Sequence, residues 1–244
     1  MISFVLPSYN EEENIKATVE TINDSVKRVK FIDKFEIVIV NDGSTDLTEK
    51  VVLTLKKDFD NIAYCKNLKN LGVGPSILKG LEQVKYPKFM LLPGDNDIPT
   101  EAIVSAIKHL NSADLIIPFP INAEDRPRLR RILSKLYVLI YLIFFNTCIN
   151  YINGPSILPT ERVRSLKSRT GLQAEIITKL LCSDITFCEV PVFFKFSQRE
   201  RGRKSISIKV LYDVFFSFIK LYIEIKFKKK KQFLDKAKRK ILYL

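Results

Sequence analysis

The first half of the chain alternates short apolar runs with segments whose apolar residues recur every three or four positions. Ile2–Leu6, Phe35–Val40, Asn61–Cys65, Lys88–Leu92 and Asp114–Pro118 have strand length, and Pro7 and Pro93-Gly94 close the first and fourth. Short, nearly continuous apolar runs suit strands of a parallel sheet covered on both faces. Between them, Glu12–Val29 places Ile15, Val19, Ile22, Val26 and Val29 on one helical face, with acids in its first turn. Further helices are predicted from Asp46 to about Lys57, with Ser44 or Thr45 as cap, over Val73–Val84 after a glycine-containing turn, and over Pro99–Leu110 with proline in the first turn. Because each parallel pair needs a crossover, this β-α-β-α order predicts an α/β domain with a mostly parallel sheet flanked by helices.

The second half is patterned differently. Ile132–Tyr151 is strongly apolar, and the 17 residues of Leu136–Ile152 carry no charge. That length is marginal for a span and includes Asn146 and Asn150, so the segment reads as a membrane-interface or core helix. Phe187–Phe196 reads as a strand, which Pro191 assigns to an edge. In Ile206–Phe227, Lys209, Asp213, Lys220 and Glu224 fall on one narrow helical stripe and apolar residues fill the rest, the pattern of a helix lying in an interface.

Charge sharpens the division. Of the net +13 on 244 residues, residues 195–244 carry +12 from 16 Lys/Arg and 4 Asp/Glu, leaving a nearly neutral body. The expected organisation is a globular α/β domain over 1–205 and an amphipathic helix with a basic, membrane-associating tail over 206–244. The Lys228–Lys231 run, next to an apolar helix and without a recognisable nucleic-acid module, favours an anionic membrane surface over nucleic acid as partner. A hydrophobic content of 46% excludes a disordered chain. Four scattered cysteines and one histidine, His109, argue against a zinc site or a secreted disulfide scaffold, and no basic leader opens the chain, so a peripheral location on the cytoplasmic face is expected. His109 itself reads as a surface or packing residue.

In open α/β sheets, ligands bind beyond the carboxyl ends of the strands. There the sequence places Pro7-Ser8-Tyr9-Asn10-Glu11, Asn41-Asp42-Gly43-Ser44 and Pro93-Gly94-Asp95-Asn96-Asp97. Asp42 can accept hydrogen bonds from a ribose hydroxyl or a base N–H, with Gly43 allowing close backbone approach, or it can cap the next helix. Asp95 and Asp97 can hold Mg²⁺ or Mn²⁺ together with substrate phosphates, or form a solvated turn. Gly72-Val73-Gly74-Pro75-Ser76 lacks the Gly-Lys-Ser/Thr ending of a phosphate loop and reads as a strand-to-helix turn.

These loops, with Asn70-Leu71-Gly72 between the second and third, occur in an order that resembles the family 2 glycosyltransferases of GT-A fold, nearest the dolichol-phosphate and polyprenyl-phosphate sugar transferases. The resemblance implies that Pro7, Tyr9, Glu11, Asp42 and Gly43 bind the nucleotide, and that Asp95 and Asp97 bind a divalent metal and the donor diphosphate. It continues through Arg130-Arg131-Ile132-Leu133-Ser134, Glu189-Val190-Pro191 and Arg199-Glu200-Arg201-Gly202-Arg203-Lys204-Ser205, which makes Arg130, Ser134, Arg199 and Arg201 candidates for binding phosphate or acceptor. Glu175 is a candidate general base or positioning residue. Three positions depart from the family pattern: Pro93 replaces the first Asp of D-x-D, Asn41 replaces the first acid of the second loop, and Asn153-Gly154-Pro155-Ser156 stands where an Asp-containing element is common.

The implied activity is inverting, metal-assisted transfer from a GDP- or UDP-linked sugar to a polyprenyl or dolichyl phosphate or a lipid-linked glycan at the membrane. The departures support an alternative, a degenerate GT-A domain that binds lipid or glycan without catalysis.

Overall fold

Both faces of the sheet are covered, which is why its strands read as apolar runs. The structure is a computed structural model that describes residues 1–168, 170–194, 208–228, 233 and 235–242. Strands β1 (Ile2–Ser8), β2 (Phe35–Asn41), β3 (Ile62–Lys66), β4 (Lys88–Leu91), β5 (Leu115–Pro120), β6 (Ile157–Pro159), β7 (Thr186–Val192) and β8 (Lys238–Arg239) form one sheet in the order β3-β2-β1-β4-β6-β5-β7-β8. All pairs are parallel except those of β6, which runs against β4 and β5.

Alternation along the strands feeds two cores. Ile2, Phe4 and Leu6 of β1 and Ile37 and Ile39 of β2 meet α1 (Ile15–Lys27), α2 (Thr48–Asp58) and α4 (Thr100–Lys108). Val5, Val38 and Val40 point the other way, toward α3 (Val73–Gln83), α5 (Arg128–Phe145) and α7 (Gln173–Leu181). Helix α3 sits close because Gly80 faces the sheet: a Cβ there would lie 2.6 Å from Val5 Cγ1. A short α6 (Thr160–Ser165) follows β6.

Several boundaries differ from expectation for identifiable reasons. Helix α1 starts three residues later than expected, so its predicted first-turn acids precede it, in a loop that Glu11 and Asn14 close by a 2.7 Å hydrogen bond. At α2 the capping oxygen belongs to Asp46, whose Oδ1 accepts the Thr48 N–H at 3.0 Å; Ser44 and Thr45 do not cap it. The long uncharged segment breaks at Asn146, which turns left-handed (φ 55°) after Phe145 and sends residues 146–156 back as a loop.

The last helix, α8 (Ile208–Ile223), continues into a wider turn of π type over Glu224–Lys228. Phe218 packs on Phe144, Tyr141 and Phe145 of α5, with ring centroids 5.1–5.6 Å apart. Glu224 ends the narrow charge stripe expected of an interface helix, but it is buried against Lys179 of α7. Lys179 has no exposed surface and bridges Glu175 (2.6 Å) and Glu224 (3.1 Å). The chain then returns to the body as β8, so residues 237–240 add to the sheet edge beside β7. Of the lysine run, Lys229–Lys231 lies outside the described residues.

Candidate active site

Two loops at the carboxyl ends of β1 and β2 are knitted together by hydrogen bonds. The Asn10 N–H reaches Ser44 Oγ (3.0 Å), the Thr45 N–H reaches Asn10 Oδ1 (2.9 Å), and the Leu47 N–H reaches Glu12 Oε2 (2.7 Å). The Glu11 N–H donates to Thr48 Oγ1 at 2.8 Å. Polar residues that looked available for ligands thus first fix the relative position of the two loops.

Asp42 ends β2 and is 4% exposed. Its carboxylate accepts from Asn67 Nδ2 (2.7 Å), the Leu71 N–H (3.0 Å) and the Gly72 N–H (2.8 Å), which shapes the turn into α3. Burial opposes its ionisation, but these donors outweigh burial and hold its carboxyl below the usual range. Asp42 therefore clamps the loop before α3 and does not cap α2. Gly43 beside it has φ +68°, and a Cβ would fall 2.4 Å from the Lys69 carbonyl carbon. That carbon and the next nearest atoms, Asn70 N and Lys69 Cα at 2.7 Å, are backbone and cannot rotate away. Gly43→Ala is therefore expected to lower stability by about 2–3 kcal/mol, read as a lower urea midpoint at unchanged slope.

The third loop is tied to α1, where Thr18 Oγ1 donates to the Gly94 carbonyl (2.9 Å) and Thr21 Oγ1 to Asn96 Oδ1 (3.0 Å). Asn96 is left-handed (φ 56°), and the Asp97 N–H turns back to Asp95 Oδ1 at 3.1 Å. The Asp95 carboxyl is pushed up to about 6, mainly by burial; the Asp97 and Glu11 carboxylates raise it further, against the Asp97 N–H.

Asp95, Asp97 and Pro7 line one cleft of about 300 Å³. Its other walls come from Val73 and Ile77 of α3, from Tyr151, Asn153, Gly154 and Pro155 of the 146–156 loop, and from Gln173 and Phe194. Tyr9 is 42% exposed, and with Glu11, Asp42 and Gly43 it belongs to the loops at the same sheet edge. Arg130 and Ser134 are half-buried in the first two turns of α5 and do not line the cleft. Arg199 and Arg201 lie outside the described residues. Glu175 is 8% exposed; Oε1 is held by Lys179 and Oε2 by Thr170. Its carboxyl lies below the usual range because those donors outweigh burial.

Gln173 was not singled out from the sequence. Its amide donates to the carbonyls of Ile152 (3.2 Å) and Gly154, tying α7 to the cleft wall. Nothing in helical periodicity marks such a residue, since its partners are backbone atoms of a distant loop.

This fold, with carboxylates at the strand ends, is that of a GT-A glycosyltransferase. Residues 3–177 match the family described as Glycosyl transferase family 2, and the chain belongs to it. Over 153 residues it is 35% identical to a dolichyl-phosphate beta-glucosyltransferase of Trichomonas vaginalis, covering 58% of this chain and 47% of that protein. Over 220 residues it is 22% identical to a dolichol-phosphate mannosyltransferase of Pyrococcus furiosus, covering 87% and 61%. The chain thus spans less than two thirds of either relative. Among solved structures, the glucosyl-3-phosphoglycerate synthase of Mycobacterium tuberculosis, in complex with Mn²⁺ and UDP-glucose, shares the fold with a TM-score of 0.62 at 15% identity, covering 92% of this chain and 78% of that one.

Proposed function

We propose that this protein transfers a sugar from a GDP- or UDP-linked donor to a polyprenyl or dolichyl phosphate, or to a lipid-linked glycan, at the cytoplasmic face of a membrane. The observation that carries the reading is the carboxylate pair Asp95 and Asp97 in the cleft, with Asp95 raised to about 6 by burial and by its acidic neighbours. A carboxylate crowded in this way is relieved by a cation. Among the described residues no three His, Cys, Asp or Glu side chains converge on one point. Two carboxylates plus the oxygens of a diphosphate suit Mg²⁺ or Mn²⁺, which keep substrate phosphates and waters in their coordination sphere. Asp95 and Asp97 would hold the ion, and its charge would offset that of the departing nucleotide diphosphate. Pro7 in the cleft, with Tyr9, Glu11, Asp42 and Gly43 of the adjoining loops, is assigned to the nucleotide, and Arg130, Ser134, Arg199 and Arg201 to phosphate and acceptor, by the family resemblance.

A lipid phosphate arrives ionised and needs no base. Glu175 fits that chemistry as a positioning residue, since both its oxygens are engaged and a low carboxyl makes a weak base. The names of the dolichyl-phosphate relatives support the lipid acceptor. No helix among the described residues is long and apolar enough to cross a membrane. Helix α5 instead exposes Leu129, Ile132, Leu136, Leu139 and Ile143 on one stripe, with Arg128 and Lys135 exposed beside it. That pattern suits a surface lying on anionic lipid. Inversion of the anomeric centre is carried over from the family resemblance.

Calorimetry with GDP- and UDP-sugars tests the donor assignment. Micromolar binding of at least one, weakened tenfold or more when Mn²⁺ is replaced by EDTA, is the expected result. Binding to none of them would sink the reading in favour of the non-catalytic alternative.

A further inference from the structure

The cleft wall formed by the 146–156 loop is fastened from outside by the C-terminal strand. Arg239 Nη2 donates to the Cys148 carbonyl at 2.5 Å and to Glu189 Oε2 at 2.5 Å. The other oxygen of Glu189 accepts the Asn150 N–H at 2.6 Å. The next residue, Tyr151, lines the cleft, as do Asn153, Gly154 and Pro155. The Glu189 side chain is 7% exposed, so its charge relies on this arginine more than a surface ion pair would. Arg239 is itself held in place: the Lys238 N–H bonds to Ile185 O (2.8 Å), the Lys240 N–H to Phe187 O (2.7 Å), and the guanidinium carbon lies 5.4 Å from the centre of the Phe187 ring. At its far end the loop is fixed by Gln173 and by close approach to β5, where a Cβ on Gly154 would fall 2.5 Å from Pro118 O.

We infer that Arg239 is a positioning residue of this site, and that β8 completes the wall on the acceptor side of the cleft. The acceptor-side assignment rests on the glycosyltransferase reading; the fastening of the loop does not. Without the guanidinium, Glu189 is left nearly buried and unpaired, and it rotates toward water and releases the Asn150 N–H. The part of the chain that reads as a basic tail is therefore a structural component of the site.

Hydrogen exchange on the full chain tests the fastening. Arg239→Ala should accelerate exchange across residues 146–156 by about 10- to 100-fold, the span expected for losing hydrogen bonds to a charged group, and leave β1, β2 and β4 unchanged. Arg239→Lys, which keeps the charge opposite Glu189, should recover most of the protection. Unchanged loop exchange would overturn the inference. If Arg239→Ala loosens the whole sheet, Glu189→Gln decides: acceleration confined to the loop supports the inference, and sheet-wide acceleration overturns it. In turnover with Mn²⁺ and polyprenyl phosphate, Arg239→Ala should raise the KM for the lipid about tenfold with the nucleotide-sugar Kd unchanged. An equal rise in both would refute the acceptor-side assignment. If the wild-type chain binds no nucleotide sugar, the glycosyltransferase reading fails, while the exchange data still decide whether Arg239 holds the loop.

Discussion

Asp95→Ala is expected to lower glycosyl transfer by about a thousandfold or more and to abolish Mn²⁺-dependent nucleotide-sugar binding, with the far-UV spectrum unchanged. Neutralising charge on a leaving diphosphate is worth several kcal/mol, and about 4 kcal/mol corresponds to that factor. The effect should be larger than at Asp97. Asp95 carries the raised carboxyl, and its backbone is anchored beside Gly94 and Asn96, both tied to α1. Stability should move the other way. In the metal-free protein the folded carboxyl sits at about 6 against 3.8 for the free group. A raised carboxyl favours folding in acid and loses that advantage as pH rises from about 4 to 6. Metal-free Asp95→Asn should therefore be more stable than wild type at pH 7, by about 1 kcal/mol or more, and indistinguishable from it near pH 4. Denaturant melts in EDTA at the two pH values read this directly. A stabilised but inactive Asp95→Asn would mark the residue as kept for binding at a cost to the fold, whereas full activity in Asp95→Ala would remove it from the site.

Lys179→Met should produce the largest loss of stability, about 3–5 kcal/mol at pH 7, because it removes the buried ammonium that bridges two buried carboxylates. Lys179 has no solvent exposure, and Glu175 and Glu224 are each about nine-tenths buried. The sign with pH follows from Glu175. Its carboxyl is depressed in the folded wild type, so its contribution is present above the ordinary carboxylate value of 4.5 and fades as pH falls through the folded value. In the variant the cost of burying carboxylate charge beside the missing lysine is relieved by protonation. The gap between wild type and variant should thus be widest near neutral pH and narrow toward pH 4. A gap independent of pH would mean that packing of the lysine stem, not charge, is what the variant removes.

The sheet was legible wherever burial alone decides the residue type. The strands β1 to β5 are apolar because helices cover both faces, and that holds whatever partners they take. Strand β6 was not legible: Ile157-Leu158-Pro159 is too short to show a period, and its reversed direction is set by pairing with Phe89 and Ile116 neighbours far away in sequence. Strand β8 was hidden by its own charge, since Lys238 and Arg239 join the sheet through backbone hydrogen bonds that side-chain pattern does not report. Asp95 and Asp42 could be picked out because strand ends and glycines mark such loops. Their partners could not: the N–H groups of Leu71 and Gly72 that hold Asp42, and the Glu224 that meets Lys179, become neighbours only when distant turns close. The same closure buried Glu224, at the end of the charge stripe, against Lys179, while Lys220 of that stripe stays exposed.

The reversed strand has a consequence for how this scaffold can diversify. Where the chain runs with the sheet, the cleft is reached by segments leaving a strand, and each is followed by a helix that must pack. At β6 it is reached by a segment entering one: Ile157 pairs beside Met90, and Ser156 O meets the Leu91 N–H. Exposed positions of residues 146–156 can therefore vary without shifting any crossover, so long as buried Ile149 and Ile152, the contacts at Cys148 and Asn150, and the register of β6 are kept. One strand of opposite polarity thus lets one wall of the cleft vary separately from the wall that carries Asp95 and Asp97.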